Sequence, residues 1–280
     1  MRIGFALWLW FCVVPGLSGC TGPGLVTTPG STPESVALQL QQLTAFDVLL
    51  LGEQHDNPDH QRIALQVVAQ LAARQGLAAL VMEMADRGKT TKGLPFDSNE
   101  ADVQRALQWN DSAWSWQAYG PVVMAAVGKG IAVWGANLPR NQMRKAMTQG
   151  VMDIHLDPQA LKEQQEAIRE GHCNALPESQ IVPMTRIQIA RDIAMAQTIA
   201  AAAHHGAPLS VVLLAGHGHV NKLVGIPRHW QNPTVRYQAV RLLGRAEGEA
   251  EQTQASFDAT WPTAPIPPKD YCAEFKAISR

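Results

Sequence analysis

The chain lacks an excess of charge of either sign, and it has few cysteines and few tyrosines. Its 280 residues include 23 Lys and Arg against 24 Asp and Glu, for a formal net charge of −1. Because the basic residues are scattered singly and form no stripe, no nucleic-acid partner is expected. There is no repeat or low-complexity tract, and beyond the N-terminal end no run is apolar enough to span a bilayer. The chain is long enough for one good-sized core or two small ones.

The N-terminal end has the pattern of an export signal. Arg2 precedes the apolar residues 3–14, and small residues then lead to Cys20. The ending Leu-Ser-Gly-Cys at 17–20 is similar to the lipobox of bacterial lipoproteins, in which Cys20 is acylated. The alternatives are an ordinary signal peptide and a transmembrane anchor, although the apolar run is shorter than the ~20 residues of a spanning helix. Thr21 follows instead of Asp, so the bacterial sorting rule indicates the periplasmic face of the outer membrane.

The sequence divides into four predicted parts: a lipoprotein signal peptide (1–19), a flexible tether (20–33), an α/β domain (34–245) and a Pro-rich tail (246–280). Of the four cysteines, one leaves with the signal peptide and Cys20 carries the lipid. Cys173 and Cys272 remain. In an oxidising periplasm, two remaining cysteines predict one disulfide, which would pin the tail to the domain.

Short apolar runs alternate with helical patterns along the domain. Residues 46–51 and 209–214 are rich in Val and Leu and predict strands buried on both faces, and 77–84 and 131–135 predict two more. Residues 234–243 alternate in polarity and predict an edge strand. The alternation of strands with helices predicts an α/β fold, with a mainly parallel central sheet flanked by helices and a helical insertion or lid.

Carboxylates and histidines lie at the ends of three predicted strands. Glu53 and His55 follow the first strand, Glu83 lies at the end of the second, and His217 and His219 follow the strand 209–214. Ligands of open α/β sheets bind beyond the carboxyl ends of the strands, so we expect these side chains to surround one pocket. Carboxylates near imidazoles hold a divalent metal ion or act as general bases. The alternative is a tight Gly-His-Gly-His turn whose imidazoles only cap backbone groups.

The two late histidines are two residues apart. On extended backbone they would point the same way. Gly218 lies between them, so the chain can turn there instead. We therefore expect one of the two to be functional.

Three further groups of residues have both a functional and a structural interpretation. An aromatic group either stacks on a flat apolar ligand such as a porphyrin or packs as core or lid; its members are Trp109, Trp114, Trp116 and Tyr119. His172 follows a predicted helix end, where it is either an axial iron ligand or a surface residue beside a disulfide-bonded Cys173. Asp192, next to Arg191 on a helix, either lies on a solvated face or orients a strand-end imidazole.

The motifs together resemble those of the ChaN-like lipoproteins of bacterial haem and iron uptake. The resemblance spans residues 46–228, with motifs in the family's order at 51–58 (Leu-Gly-Glu-Gln-His-Asp-Asn-Pro), 82–84, 119–121, 136–140, 171–174, 191–196 and 216–227. This family is part of a wider group with the Tiki and TraB proteins and the erythromycin esterases. The group shares a Gly-Glu-x-His-like start and a late Gly-x-x-His, here residues 216–219.

The resemblance implies an α/β domain that binds haem, in known cases between two protomers with stacked porphyrins. It thus implies a homodimer that is an accessory to haem or iron uptake, with a haem uptake receptor as a further partner. The implied cofactor-binding residues are His55, Glu83, Tyr119, His172, His217 and His219, and of the last two the comparison favours His219. The wider group implies an alternative, a metal-dependent hydrolase whose divalent metal ion is held by Glu53, His55, Glu83 and His219.

The chain departs from the family at the iron ligand. The resemblance implies a tyrosine on a helical segment, but Tyr119, Tyr237 and Tyr271 do not lie obviously in such a place. The corresponding region contains His172. Either His172 replaces the tyrosine, or haem ligation differs in this branch, or the branch does not bind haem.

Overall fold

A six-stranded sheet forms the centre of the protein in the computed structural model, which describes residues 31–203, 209–230, 234–244 and 254–273. Its strands are β1 (Val48–Glu53), β2 (Leu77–Asp86), β3 (Ala132–Asn137), β4 (Ser210–Gly216), β5 (Tyr237–Gly244) and β6 (Ala259–Thr263). Their order is β3-β2-β4-β1-β5-β6, and each neighbouring pair is parallel. The predicted α/β fold is confirmed. The predicted signal peptide and Cys20 lie outside the described residues.

The two central strands are the two Val- and Leu-rich runs of the sequence. All residues of β1 and nearly all of β4 are buried, as expected where helices cover both faces of a parallel sheet. The two strands are in register, so that Glu53 pairs with Gly216. The polar residues that follow both strands therefore lie at the same edge.

Helices cover both faces of the sheet: α1 (Pro33–Gln42), α2 (Pro58–Ala73), α3 (Glu100–Leu107), α4 (Trp116–Val127), α5 (Arg140–Ala146), α6 (Pro158–Gly171), α7 (Glu178–Ala203) and α8 (His217–Val220). α2 begins at the N-cap Asn57, whose side chain accepts the Asp59 N–H, with Pro58 in the first turn. Its Ile63 and Val67 belong to the core on one face, whereas Met195 and Ile199 of α7 belong to the core on the other.

α7 extends beyond the carboxyl edge of the sheet. Its 26 residues span about 39 Å at 1.5 Å per residue, whereas the 7 residues of β4 span about 23 Å. Ile199 packs with Val48 at the start of β1, and Asp192 contacts His219 after the end of β4. The first half of α7 therefore lies past the sheet, and α5 and α6 pack against this helix. These helices form the predicted insertion.

The sheet differs from the prediction at its C-terminal end. The strand predicted at 234–243 is present as β5, but its predicted position at the edge is wrong, because β5 lies between β1 and β6. β6 comes from the segment assigned to the tail, so the sheet continues past the predicted boundary at 245; Val240 pairs with Ala259 and Gly244 with Thr263. Pro262 lies in β6, and proline is tolerated in an edge strand because the outer N–H groups need no partner strand.

The predicted disulfide between Cys173 and Cys272 is present, with 5.5 Å between the two Cα atoms. Cys173 and Asn174 have positive φ angles of 58° and 54° and form the tight turn after α6. The disulfide thus fastens the segment after β6 to this turn. In the described part of the chain, no helix has both the length and the apolar character needed to cross a membrane.

Candidate functional site

Side chains of β1, of β2 and of the turns that follow β1 and β4 form one chain of contacts; Glu83 follows the last residue of β2 that pairs with β4, although β2 itself continues to Asp86. His55 Nδ1 lies 3.0 Å from Glu53 Oε1, and its Nε2 lies 3.6 Å from Glu83 Oε2. His219 Nε2 lies 3.5 Å from Glu83 Oε1. The structure therefore brings together Glu53, His55, Glu83 and His219, as the positions of the strand ends led us to expect.

The Glu53 carboxylate accepts hydrogen bonds from two uncharged side chains. The Tyr119 hydroxyl donates to Glu53 Oε1 at 2.7 Å, and Gln61 Nε2 donates to Oε2 at 2.9 Å. Glu53 and Tyr119 are both almost fully buried. Burial, followed by the charge of Glu53, raises the pKa of Tyr119, so the phenol keeps its proton. Tyr119 therefore supports Glu53 from within the core and does not face the mouth of the site.

Glu83 is held by two hydrogen-bond donors and a neighbouring imidazole. Arg191 donates to its Oε1, the Gly216 N–H donates to Oε2 at 2.8 Å, and His219 is the third neighbour. Burial by itself raises the pKa of Glu83, but the charges of His219 and Arg191 outweigh it and hold the pKa well below its ordinary value. Glu83 is therefore a buried carboxylate whose charge is balanced.

His219 is the buried histidine of the turn after β4. Its Nδ1 donates to Asp192 of α7, and it is 4% exposed. Burial lowers its pKa, yet the charges of Glu83 and Asp192 raise the pKa to about 9. His219 is therefore an imidazolium at neutral pH. The hypothesis that Asp192 orients a strand-end imidazole agrees with this contact.

His55 forms the mouth of the site. Its side chain is 36% exposed, and its ring packs edge-on against the Trp114 indole with 4.8 Å between ring centroids. Burial lowers the pKa of His55, but the hydrogen bond to Glu53 and the charge of Glu83 raise it more, so the net direction is upward. Both ring nitrogens of His55 face carboxylates.

His217 lies on the solvent-exposed side of the same turn. It is exposed, and its Nδ1 lies 3.3 Å from the main-chain oxygen of Glu53. Burial of part of the ring, and then the charge of Arg241, lower its pKa. His217 is therefore a neutral imidazole at neutral pH, in contrast to His219.

The other aromatic residues pack mainly as core. Trp109 contacts Trp116 and Tyr119 with ring centroids 5.1 and 6.3 Å apart, and this group lies against the main hydrophobic cluster. Trp114 also contacts Tyr119, at 6.1 Å. Within the aromatic group, Trp114 packs against the His55 ring, and the Tyr119 hydroxyl lies 3.5 Å from His55 Nδ1.

The C-terminal segment reaches the rim of the site. The Tyr271 hydroxyl donates to Asp56 Oδ2 at 2.6 Å and accepts from Gln54 Nε2 at 3.3 Å, one residue on each side of His55. The sequence analysis counted Tyr119 among the cofactor-binding residues but gave Tyr271 no role, and the structure brings Tyr271 beside residues 54 and 56. His172 is attached to a different part of the fold. It follows α6 beside the disulfide-bonded Cys173, and its Nδ1 lies 2.8 Å from the Ile168 main-chain oxygen. The residues of the candidate site, in contrast, are carried by strands or follow them.

Sequence reasoning missed several polar residues beneath the site. His60 is fully buried between the Gln54 N–H and Thr263 Oγ1, and burial lowers its pKa to about 4. Gln188 contacts His219 at 3.1 Å and accepts from Arg191. Polar residues at 188, 191 and 192 share one face of an otherwise apolar part of α7, and this spacing was the available signal.

The described residues contain no group of three or more His, Cys, Asp and Glu side chains arranged as a metal site. The two glutamates already accept hydrogen bonds from Tyr119, Gln61 and Arg191, which leaves few lone pairs for a metal ion. The divalent-metal alternative thus gains no support from this geometry.

The fold is that of an α/β protein with a parallel sheet, and the candidate site lies at the carboxyl edge of that sheet. The profile of the family described as "Haem-binding uptake, Tiki superfamily, ChaN" matches residues 39–230, which is more than half of the chain. The chain belongs to this family.

Solved structures share the fold. ChaN of Campylobacter jejuni, described as binding haem cofacially, is similar with a TM-score of 0.60 and 24% identity, over 80% of this chain and 89% of that chain. The type III effector HopBA1 is similar with a TM-score of 0.50 and 13% identity, over 86% and 97%. At these identities the likeness concerns the fold alone. No curated protein sequence matches the chain.

Proposed function

We propose that this protein binds haem at the carboxyl edge of its sheet. The observation that carries the proposal is the mouth of the site, where the half-exposed His55 ring packs against Trp114 and His217 lies exposed nearby. These residues fit haem, because a porphyrin stacks on indole and its iron accepts an imidazole nitrogen. Membership of a family described as haem-binding supports the same ligand.

We propose further that two copies of the chain bind their haems face to face. The support is the cofacial binding described for ChaN of Campylobacter jejuni, which shares this fold. On this proposal, haem promotes a homodimer. Sedimentation of the purified protein with and without haemin tests it, and a monomer at saturating haemin would contradict it.

The cellular part of the proposal is an outer-membrane lipoprotein that assists haem or iron uptake from the periplasmic face, together with a haem uptake receptor. Its support is the similarity of residues 17–20 to a lipobox and the presence of Thr21, instead of Asp, after Cys20. A Cys20→Ala form should lose the lipid and leave the membrane fraction. Unchanged processing and retention in the membrane would contradict acylation at Cys20.

Haemin titration of the purified protein tests the ligand. We expect a saturable Soret band, and we expect Trp114→Leu to weaken the affinity about two- to tenfold, because an aromatic contact contributes about 0.5–1.5 kcal/mol beyond its buried area. Trp230→Leu is the control, since Trp230 lines a cavity with Asp47 and Val48 at the opposite edge. Circular dichroism checks that both variants fold. If the wild type shows no saturable Soret change, the protein does not bind haem.

One observation favours a second candidate, a hydrolase. His55 is a half-exposed imidazole oriented by Glu53, which is an arrangement for general acid–base catalysis. The family-based form of this candidate also needs a divalent metal ion. Hydrolysis of a model ester, with and without added Zn²⁺, tests it, and His55→Gln should abolish any turnover. A rate equal to that of the buffer under both conditions would rule against this candidate.

A further inference from the structure

The turn after β4 fixes the backbone of His217 against β1. A Cβ added to Gly52 would lie 2.9 Å from His217 Cα, so the two chain segments are in close contact. This contact explains why glycine occupies position 52. It also holds the His217 ring so that Nδ1 lies 3.3 Å from the Glu53 carbonyl oxygen. The imidazole is thereby oriented before any ligand binds.

The three imidazoles of the site differ in the nitrogen that they can offer. His55 turns both nitrogens to carboxylates, and His219 is buried and charged. His217 uses only Nδ1, and among the described residues its Nε2 has no hydrogen-bond partner. A neutral imidazole with Nδ1–H bound to a main-chain carbonyl and a free Nε2 is the form in which histidine binds metals.

We propose that His217 Nε2 is the axial protein ligand of the haem iron. This inference rests on the proposed haem binding and specifies which residue reaches the iron. It differs from the sequence-based expectations, which favoured His219 of the pair and considered His172. His219 is buried under the site, and its nitrogens face Asp192 and Glu83.

The rim tyrosine is a weaker ligand candidate. Tyr271 donates its hydroxyl proton to Asp56, and this hydrogen bond raises the pKa of Tyr271. Iron takes a tyrosine as phenolate, so the Asp56 carboxylate opposes ligation by Tyr271. Nothing comparable opposes His217, since its Nδ1 is bound to a main-chain oxygen and no carboxylate of the described residues binds its Nε2.

A positive charge lies beside His217. Arg241 is near enough to lower the pKa of His217, and its Nε is buried without a partner among the described residues. Burial also lowers the pKa of Arg241. A ligand that carries carboxylates, as haem does, would balance this charge. The surroundings of His217 therefore suit the anionic edge of haem as well as its iron.

Substitution of His217 with a haem titration tests the proposal. His217→Asn keeps an amide donor for the Glu53 carbonyl oxygen but lacks Nε2, so its fold should be unchanged. We expect the affinity for haemin to fall at least about 10–100-fold, the range seen when even supporting residues of a metal site are lost. We also expect the Soret band to shift, and added imidazole to restore the wild-type band.

His172→Asn and Tyr271→Phe are the matched controls, and each should keep the wild-type spectrum and affinity. If His217→Asn binds haemin like the wild type, or if a control variant loses the band instead, His217 is not the ligand although haem binding stands. If the wild type itself does not bind haemin, both the proposed function and this inference fail.

Discussion

Removal of Asp192 should destabilise the fold strongly, because it leaves a buried imidazolium without its nearest counter-charge. Asp192 is fully buried and accepts the His219 Nδ1–H from the turn after β4. Breaking a buried ion pair by removing one partner costs about 3–5 kcal/mol. Glu83 stays in place, 3.5 Å from the other ring nitrogen, so the lower end of this range is expected for Asp192→Ala.

The same pair makes the stability depend on pH. The folded pKa of His219 is raised from 6.5 to about 9, which corresponds to roughly 3 kcal/mol because each pKa unit is worth about 1.4 kcal/mol. For a group with a raised pKa, the stabilisation is complete below the unfolded pKa and is lost as pH rises through the folded value. Stability should therefore fall between about pH 6.5 and pH 9, and His219→Gln should remove this part of the slope.

Urea denaturation followed by tryptophan fluorescence, repeated from pH 6 to pH 9.5, measures both effects. Asp153→Ala is the control, because Asp153 pairs with Arg186 of α7 near the surface and such pairs contribute about 0–1 kcal/mol. If Asp192→Ala costs less than the control, or if His219→Gln keeps the alkaline slope of the wild type, the buried imidazolium does not exist as described.

Two further substitutions test the geometry of the mouth and of the rim. In Gly216→Ala the new Cβ would lie 2.9 Å from His55 Nε2, so His55 must move. We expect this variant to lose about 1–3 kcal/mol of stability and to bind haemin more weakly. Gly218→Ala, whose new Cβ meets nothing within 4 Å, should show neither effect. Cys272→Ser should lower the free energy of unfolding by roughly 4–5 kcal/mol in the chain-entropy model, because the disulfide joins residues 99 positions apart. Peptide mass spectrometry of the unreduced protein should find Cys173 and Cys272 linked. Free thiols at both positions would contradict this prediction.

The residues of the site that strands carry were predictable because topology determines their position. Glu53, Glu83 and His219 are attached to strands whose apolar runs are plain in the sequence, and parallel strands end at one edge. The residues that helices carry were not predictable in the same way. Gln61 and Gln188 come from helices, and only the tertiary packing of those helices decides which of their polar residues turn inward.

β6 was missed for a related reason. Its five residues, Ala259–Thr263, contain a proline and follow an acidic stretch, so the local pattern is typical of a loop. Pairing with β5 and burial of Trp261 against the main core stabilise the strand, and both interactions are non-local. The position of Tyr271 at the rim was missed for the same reason, because the chain runs through β6 before it comes to residue 271.

The turn after β4 explains how two histidines two residues apart come to lie in opposite environments. On extended backbone their side chains would share one direction, but α8 begins at His217. With 3.6 residues per turn, positions two apart on a helix point about 200° from each other. The His219 imidazole therefore lies against Asp192 and Glu83 and is protonated. The His217 imidazole stays exposed and neutral beside Arg241. Because both belong to a single turn, the buried ion pair holds the backbone that positions the exposed ring. Loss of Asp192 should consequently weaken haemin binding through His217 as well as the fold itself.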